Sequence, residues 1–338
     1  MSDISETNRR AQEIAEAAGA DGPAHAVPES PSAPQPMTFG WRWADALLDW
    51  SWRNPRLPLA VALIVGVLAR ALLVVRSNAL IDGDEAMVGI QAERILRGEF
   101  PTYFYGQVYM GSLETYLIAG IFRLVGPSSW AMRTVPVLLS LLLVYLTWRL
   151  AHALLPRAAR STPLLAGLAA LFAAAPPLYD AVTELRTWGG QIEVYIISLA
   201  LLLATVELAR RLRVDAGAFE LTRRWAIWGL LVGAGIWVNP LIVYPVMASV
   251  LWLAWPYAHR AFPGLAMRLS RGSAVRSPTV RPRSAATLLA VIPGMLVGGL
   301  PAWIYALRHG GENLFVYVSS SAANPVSGDL AHQGRLAL

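Results

Sequence analysis

Residues 57–86 read LPLAVALIVGVLARALLVVRSNALIDGDEA, an apolar run that empties directly into an acidic cluster of Asp82, Asp84 and Glu85. A helix rises about 1.5 Å per residue, so roughly 20 apolar residues cross a bilayer's hydrocarbon layer. The stretch over about 57–75 meets that length. Comparable stretches follow over about 131–150, 163–178, 190–209, 225–238, 241–257 and 286–306. Hydrophobic residues make up 55% of the chain and charged residues 15%, with a mean hydropathy of +0.46, too apolar for an ordinary soluble domain. The expected fold class is therefore all-α: a polytopic transmembrane helical bundle of about seven spans, with a helical outer loop between spans one and two.

All 28 basic residues are arginine, and the formal net charge is +6. They cluster in the connections between apolar segments, as topology signals do, which argues against nucleic acid as a partner and for membrane lipid. There is no cysteine, which excludes disulfides and thiolate metal sites. His25, His152, His259, His309 and His332 are scattered, with no pair at zinc-ligand spacing.

Residues 1–38 are rich in Ala, Glu, Ser and Pro and read as a disordered cytoplasmic tail. In the segment 39–56, Trp41, Trp43, Trp50 and Trp52 interleave with Arg42, Asp45, Asp49 and Arg53, which suits an interfacial amphipathic helix; an irregular aromatic linker is the other reading. The segment 112–126 carries Glu114 and Arg123 and is short for a span. Charge placement decides its reading. If the N-terminus is cytoplasmic and 112–126 does not cross, the arginines at 149–160, 210–224 and 260–283 all fall on one side. If it crosses, all three groups land on the wrong face. The expectation is a transmembrane domain over 57–309 with an outer loop at 76–130, a second outer loop at 179–189, and a polar C-terminal tail at 310–338.

Residues 84–97 have helical composition and close on Gly98. Behind them Tyr103, Tyr105, Gln107, Tyr109 and Glu114 gather rings, an amide and a carboxylate beside the membrane. Aromatic faces stack on sugars while polar tips fix hydroxyls, so these are candidate substrate contacts; an interfacial aromatic belt is the competing reading. Asp82 and Glu85, three apart, match a capping box, which leaves Asp84 unexplained. In the second outer loop, Asp180 and Glu184 are candidates to orient an acceptor or to hold a divalent cation. Alternatively, Glu184 pairs with Arg186 at the surface, where such a bond contributes little. Glu193 falls inside the fourth span, where an ionisable group faces a cavity or a partner.

The order of these features resembles the GT-C superfamily of membrane glycosyltransferases, in the branch of protein O-mannosyltransferases and aminoarabinose transferases. The resemblance is carried by Asp84, Glu85, Ala86, Ala92, Leu96, Gly98 and Pro101, then by Tyr116 to Ala119, Leu124, Gly126, Ser129, Trp130, Arg133 and Pro136, and it covers about residues 57–210. It implies a hexosyl- or pentosyltransferase at the cell membrane, working on the extracytoplasmic face. The donor would be a sugar on a polyprenyl phosphate, and the acceptor a lipid, glycan or protein. Asp84 is similar to the family's acidic residue, a general base or acceptor-orienting group, with Glu85 beside it in the same motif and Asp82 near the substrate. A phosphate leaving group needs positive charge, for which Arg186 is the leading candidate and Arg76 and Arg70 the alternatives. Some family members use a divalent cation. Family enzymes generally continue with more spans, so a shorter or truncated member is expected. A transporter or lipid flippase would show internal repeats, which the sequence lacks, and an inactive scaffold would not need aromatic company around its acidic loops.

Overall fold

A computed structural model describes residues 42–214, 216–261 and 286–313. The expected tails over 1–38 and beyond residue 313, and the arginine-rich connection after residue 261, lie outside the described residues.

The described chain is helical, as expected of an all-α bundle. α1 covers Arg42–Arg53 and α2 covers Leu57–Arg76. α2 starts with Pro58 in its first turn, where a missing N–H costs nothing. Its buried residues, Ala62, Gly66, Arg70 and Val74, recur every fourth position, while Ile64, Leu68, Leu72 and Val75 face outward. A helix that is apolar on its exposed face suits lipid.

The elements of the segment expected as the first outer loop come next: α3 at Gly83–Leu96, a hairpin of β1 at Tyr103–Phe104 and β2 at Gln107–Gly111, and α4 at Leu113–Val125. α4 is only 13 residues long, and Ile118, Ala119 and Phe122 on it pack with Val88 and Ala92 of α3. The hairpin departs from the expected loop. Aromatic and β-branched residues favour strands, and Gly106 closes the turn at a φ of 77°. The Trp237 indole donates to the Thr102 carbonyl at 2.9 Å, and the Gln91 amide donates to the Tyr103 carbonyl at 2.9 Å, which fixes the hairpin in place.

The bundle continues with α5 at Ser129–Leu154, α6 at Thr162–Ala174, α7 at Leu178–Glu184, α8 at Gln191–Arg213, α9 at Ala218–Val238 and α10 at Val243–Ala261. It closes with α11 at Val291–Gly298 and α12 at Leu300–Arg308. Among the described residues, α2, α5 and α8 are long and apolar enough to cross a membrane. Two bent pairs raise the number to five: α6 with α7, bent by 76° at Pro176 and Pro177, and residues 288–298 with α12, bent by 67° near Pro301. Seven spans were expected. The difference lies at residues 225–257: α9 opens with Glu220, Arg223 and Arg224, and a break at Asn239 and Pro240 leaves only a shorter apolar helix behind it.

Packing runs from α2 to α6, then α5, α8, α9 and α11. Small residues let these backbones approach, the usual device where lipid removes the hydrophobic drive for association. The tightest seam is between α9 and α11. Gly229 and Gly233 face the carbonyls of Val291 and Met295, while Gly294 and Gly298 face those of Ala226 and Leu230. A Cβ at any of the four would sit well inside 3.0 Å of backbone oxygen, so the seam must open to admit one. Gly233→Ala is expected to cost about 1–3 kcal/mol, the range for overpacking a rigid contact. Thermal unfolding in detergent checks this against Gly217→Ala, where an added Cβ meets nothing within 4 Å.

Candidate functional site

Site geometry begins with a buried ion pair. Both guanidinium nitrogens of Arg133, in the second turn of α5, reach the Glu85 carboxylate on α3, and Arg133 also donates to the carbonyls of Leu80 and, at 2.6 Å, Leu185. Glu85 accepts in addition from the backbone N–H groups of Asp82 at 3.1 Å and Thr187 at 3.0 Å. Side-chain exposure is 9% for Arg133 and 3% for Glu85, so neither has water as a substitute partner. One pair therefore fixes the entry to α3, the start of α5 and the loop after α7. Glu85, expected beside Asp84 as a catalytic group, is instead consumed by this structural tie. The capping box is present, with the Glu85 N–H donating to Asp82 at 3.0 Å.

Asp84 stands apart. It is exposed, has no hydrogen-bond or ion-pair partner among the described residues, and lines a cavity of about 260 Å³. Phe104 and Trp188 supply rings to that cavity, and Gln107 and Gln191 supply amides. Thr187 and Trp188 also line it, and the Thr187 hydroxyl and the Trp188 indole N–H are buried without hydrogen-bond partners. Gly189 and Gly190 follow at φ values of 64° and 87°, a left-handed pair that a side chain would strain. That turn leads the chain from the cavity wall into α8.

A second cavity of about 490 Å³ adjoins the same loop, with an apolar wall from Leu73, Val74 and Leu80 and with Arg76 and Arg186 at its lining. Arg186 pairs with Asp82 and lies over the Trp188 ring at 4.0 Å. The Arg186–Trp188 stack thus joins the two cavities. Arg76 is exposed and has no partner among the described residues.

The remaining expected site residues divide. Gln107 reaches the Asp84 cavity. Tyr109 is half-buried on β2 and lines neither cavity. The Tyr103 hydroxyl accepts from Asn313 at 2.8 Å and its ring meets Tyr305 edge-on at 4.9 Å, so it is a packing residue; burial pushes its hydroxyl up to about 12. Tyr105 turns away to Glu99, donating at 3.1 Å. Arg70, expected as a phosphate ligand, is wholly buried and donates to Glu184 at 2.6 Å, to Ser140 at 2.5 Å and to the Ala174 carbonyl at 2.6 Å. Glu184 is accordingly held by Arg70 and not by Arg186. Asp180 is exposed on α7. For the divalent cation, no group of three His, Asp or Glu converges among the described residues.

The sequence reading missed Phe104, Met110, Thr187, Trp188 and Gln191 as walls of the Asp84 cavity. Arg133 was legible as a charge inside an apolar span, and such a charge needs a buried partner. Which acid it would take was not legible. The chain matches no family model, no curated protein and no solved structure.

Glu114, at the start of α4, is 1% exposed, accepts from the Gly189 N–H at 3.0 Å, and has its other oxygen unpartnered. Burial first, and then the neighbouring Glu193 charge, hold its carboxyl well above the usual range. A raised acid binds a proton in the folded state that the unfolded chain has released. Its contribution to stability is full below about pH 4.5 and is lost as pH rises toward the folded value. Melting temperature is expected to fall with pH above that point in the wild type, and the fall should be shallower in Glu114→Gln.

Arg133→Met leaves the Glu85 charge buried alone and is expected to cost about 3–5 kcal/mol. Glu85→Gln combined with Arg133→Met should cost clearly less than the sum of the singles. A double-mutant cycle from denaturant or thermal unfolding measures the difference.

Proposed function

We propose that this chain is an integral membrane glycosyltransferase that moves a sugar from a polyprenyl-phosphate donor to a hydroxyl acceptor. The observation that carries the reading is the unpaired Asp84 carboxylate on a cavity walled by rings and amides, next to an apolar cavity bearing Arg76 and Arg186. A sugar would stack on Phe104 or Trp188 and hydrogen-bond the amides of Gln107 and Gln191. The lipid chain fits the apolar wall of the second cavity, with its phosphate at the arginines.

In the reaction the acceptor oxygen attacks the anomeric carbon as the carbon–oxygen bond to phosphate breaks. The acceptor proton passes to Asp84, and the phosphate leaves with the bonding electrons. Arg76 and Arg186 meet the charge that develops on it. Trp188 holds the Arg186 plane by stacking at 4.0 Å, and Asp82 orients it from the other side. The arginines of 149–160 and 210–224 lie toward the other ends of α5 and α8, which supports a cytoplasmic N-terminus and an extracytoplasmic site in a cell membrane.

The test is release of polyprenyl phosphate from a panel of polyprenyl-phosphate sugars by the full chain in lipid. Asp84→Asn is expected to lower turnover by roughly 10²- to 10⁴-fold, the usual worth of a positioned general base, with an unchanged melting temperature. Arg76→Gln should weaken donor use. Turnover that is indifferent to Asp84→Asn, or absent with every donor, overturns the reading.

A further inference from the structure

At the opposite end of α5 and α8 lies another cavity, of about 520 Å³. From Gln191, beside Asp84, to Arg210 on its rim, α8 rises roughly 28 Å, so the two cavities open toward opposite faces of a bilayer. Four arginines line this one, Arg149, Arg157, Arg210 and Arg224, against a single carboxylate, Glu207. That carboxylate is already shared between Arg211 at 2.9 Å and Arg224 at 3.6 Å. Arg210 donates to the Ala153 carbonyl and so offsets the negative end of α5. Arg157 has no partner among the described residues, and Arg149 meets only the hydroxyl and ring of Tyr145.

Trp148 lines the cavity, and its indole N–H is buried without an acceptor. Arg224 is further held by Glu220 at 2.8 Å, so the cavity's surplus positive charge rests on Arg149 and Arg157, beside the apolar flank of Leu203 and Val206. That combination suits a group with several anionic oxygens attached to something apolar.

We propose that this cavity binds the phosphate of an anionic phospholipid, with Arg149 and Arg157 pairing the headgroup and the acyl chains lying along α8. Basic pockets between spanning helices recognise lipid phosphates in this way. Free inorganic phosphate offers the same chemistry without the chains, and the apolar flank favours the lipid. This site does not depend on the proposed transferase reaction.

Native mass spectrometry of the full chain in detergent, titrated with dioleoylphosphatidylglycerol or dioleoylphosphatidylcholine, tests it. Phosphatidylglycerol should be retained in preference to phosphatidylcholine. Arg149→Gln with Arg157→Gln should weaken that retention by roughly 30-fold, from about 1 kcal/mol per arginine at a tenfold change per 1.4 kcal/mol. Both side chains are exposed, so the double variant should melt as the wild type does in phosphatidylcholine. Equal retention of the two lipids, or a double variant that holds phosphatidylglycerol as well as the wild type, overturns the proposal. So does a melting shift with inorganic phosphate that needs the two arginines but comes without any lipid preference, since it assigns the cavity to a free anion.

Discussion

The arrangement at the Asp84 end of the bundle depends on neutralising one arginine. Arg133 sits in the second turn of an apolar helix, where an unpaired charge would be costly, and Glu85 is the only carboxylate it pairs with among the described residues. Meeting that demand draws α3 onto α5 and brings residues 80, 185 and 187 to the same point. The candidate site forms around this knot. Asp82 and Asp84, the neighbours of Glu85 in sequence, are carried to two adjoining cavities because Glu85 itself is anchored.

This explains how three acids in one helical turn acquire three different roles. Glu85 is buried and paired, Asp82 caps the helix and holds Arg186, and Asp84 is left exposed and unpartnered. The second buried tie, Arg70 with Glu184, does the same for the inner wall by joining α2 to the end of α7. Acidic residues that look alike by type are thus separated by which arginine reaches them first. Their chemistry follows from what remains unpaired.

The two ends of the bundle differ in how charge is handled. At the Asp84 end two buried arginines, Arg70 and Arg133, are matched by carboxylates, whereas the unpartnered Asp84 and Arg76 line cavities. At the other end the arginines outnumber their partners, and the excess again faces a cavity. Helices α5 and α8 run between these regions, so one pair of helices carries a cavity at each of its ends.

Much of this was legible in the chain. Residues 57–75 predicted α2, because a 19-residue run interrupted only by Arg70 is long and apolar enough to cross a membrane. Arginine placement predicted that 112–126 does not cross; the segment forms a 13-residue α4 packed on α3. The capping box at Asp82 and the singular position of Asp84 were visible in their spacing. The hairpin over 103–111, the choice of Glu85 for Arg133, and the removal of Arg70, Glu184 and Tyr103 from the site were not. Composition and period report what each segment buries on its own axis, whereas these features depend on which distant group fills a valence that water cannot reach. Local sequence therefore determined the elements and the presence of uncompensated charge, and only the packed bundle decided where each charge was spent.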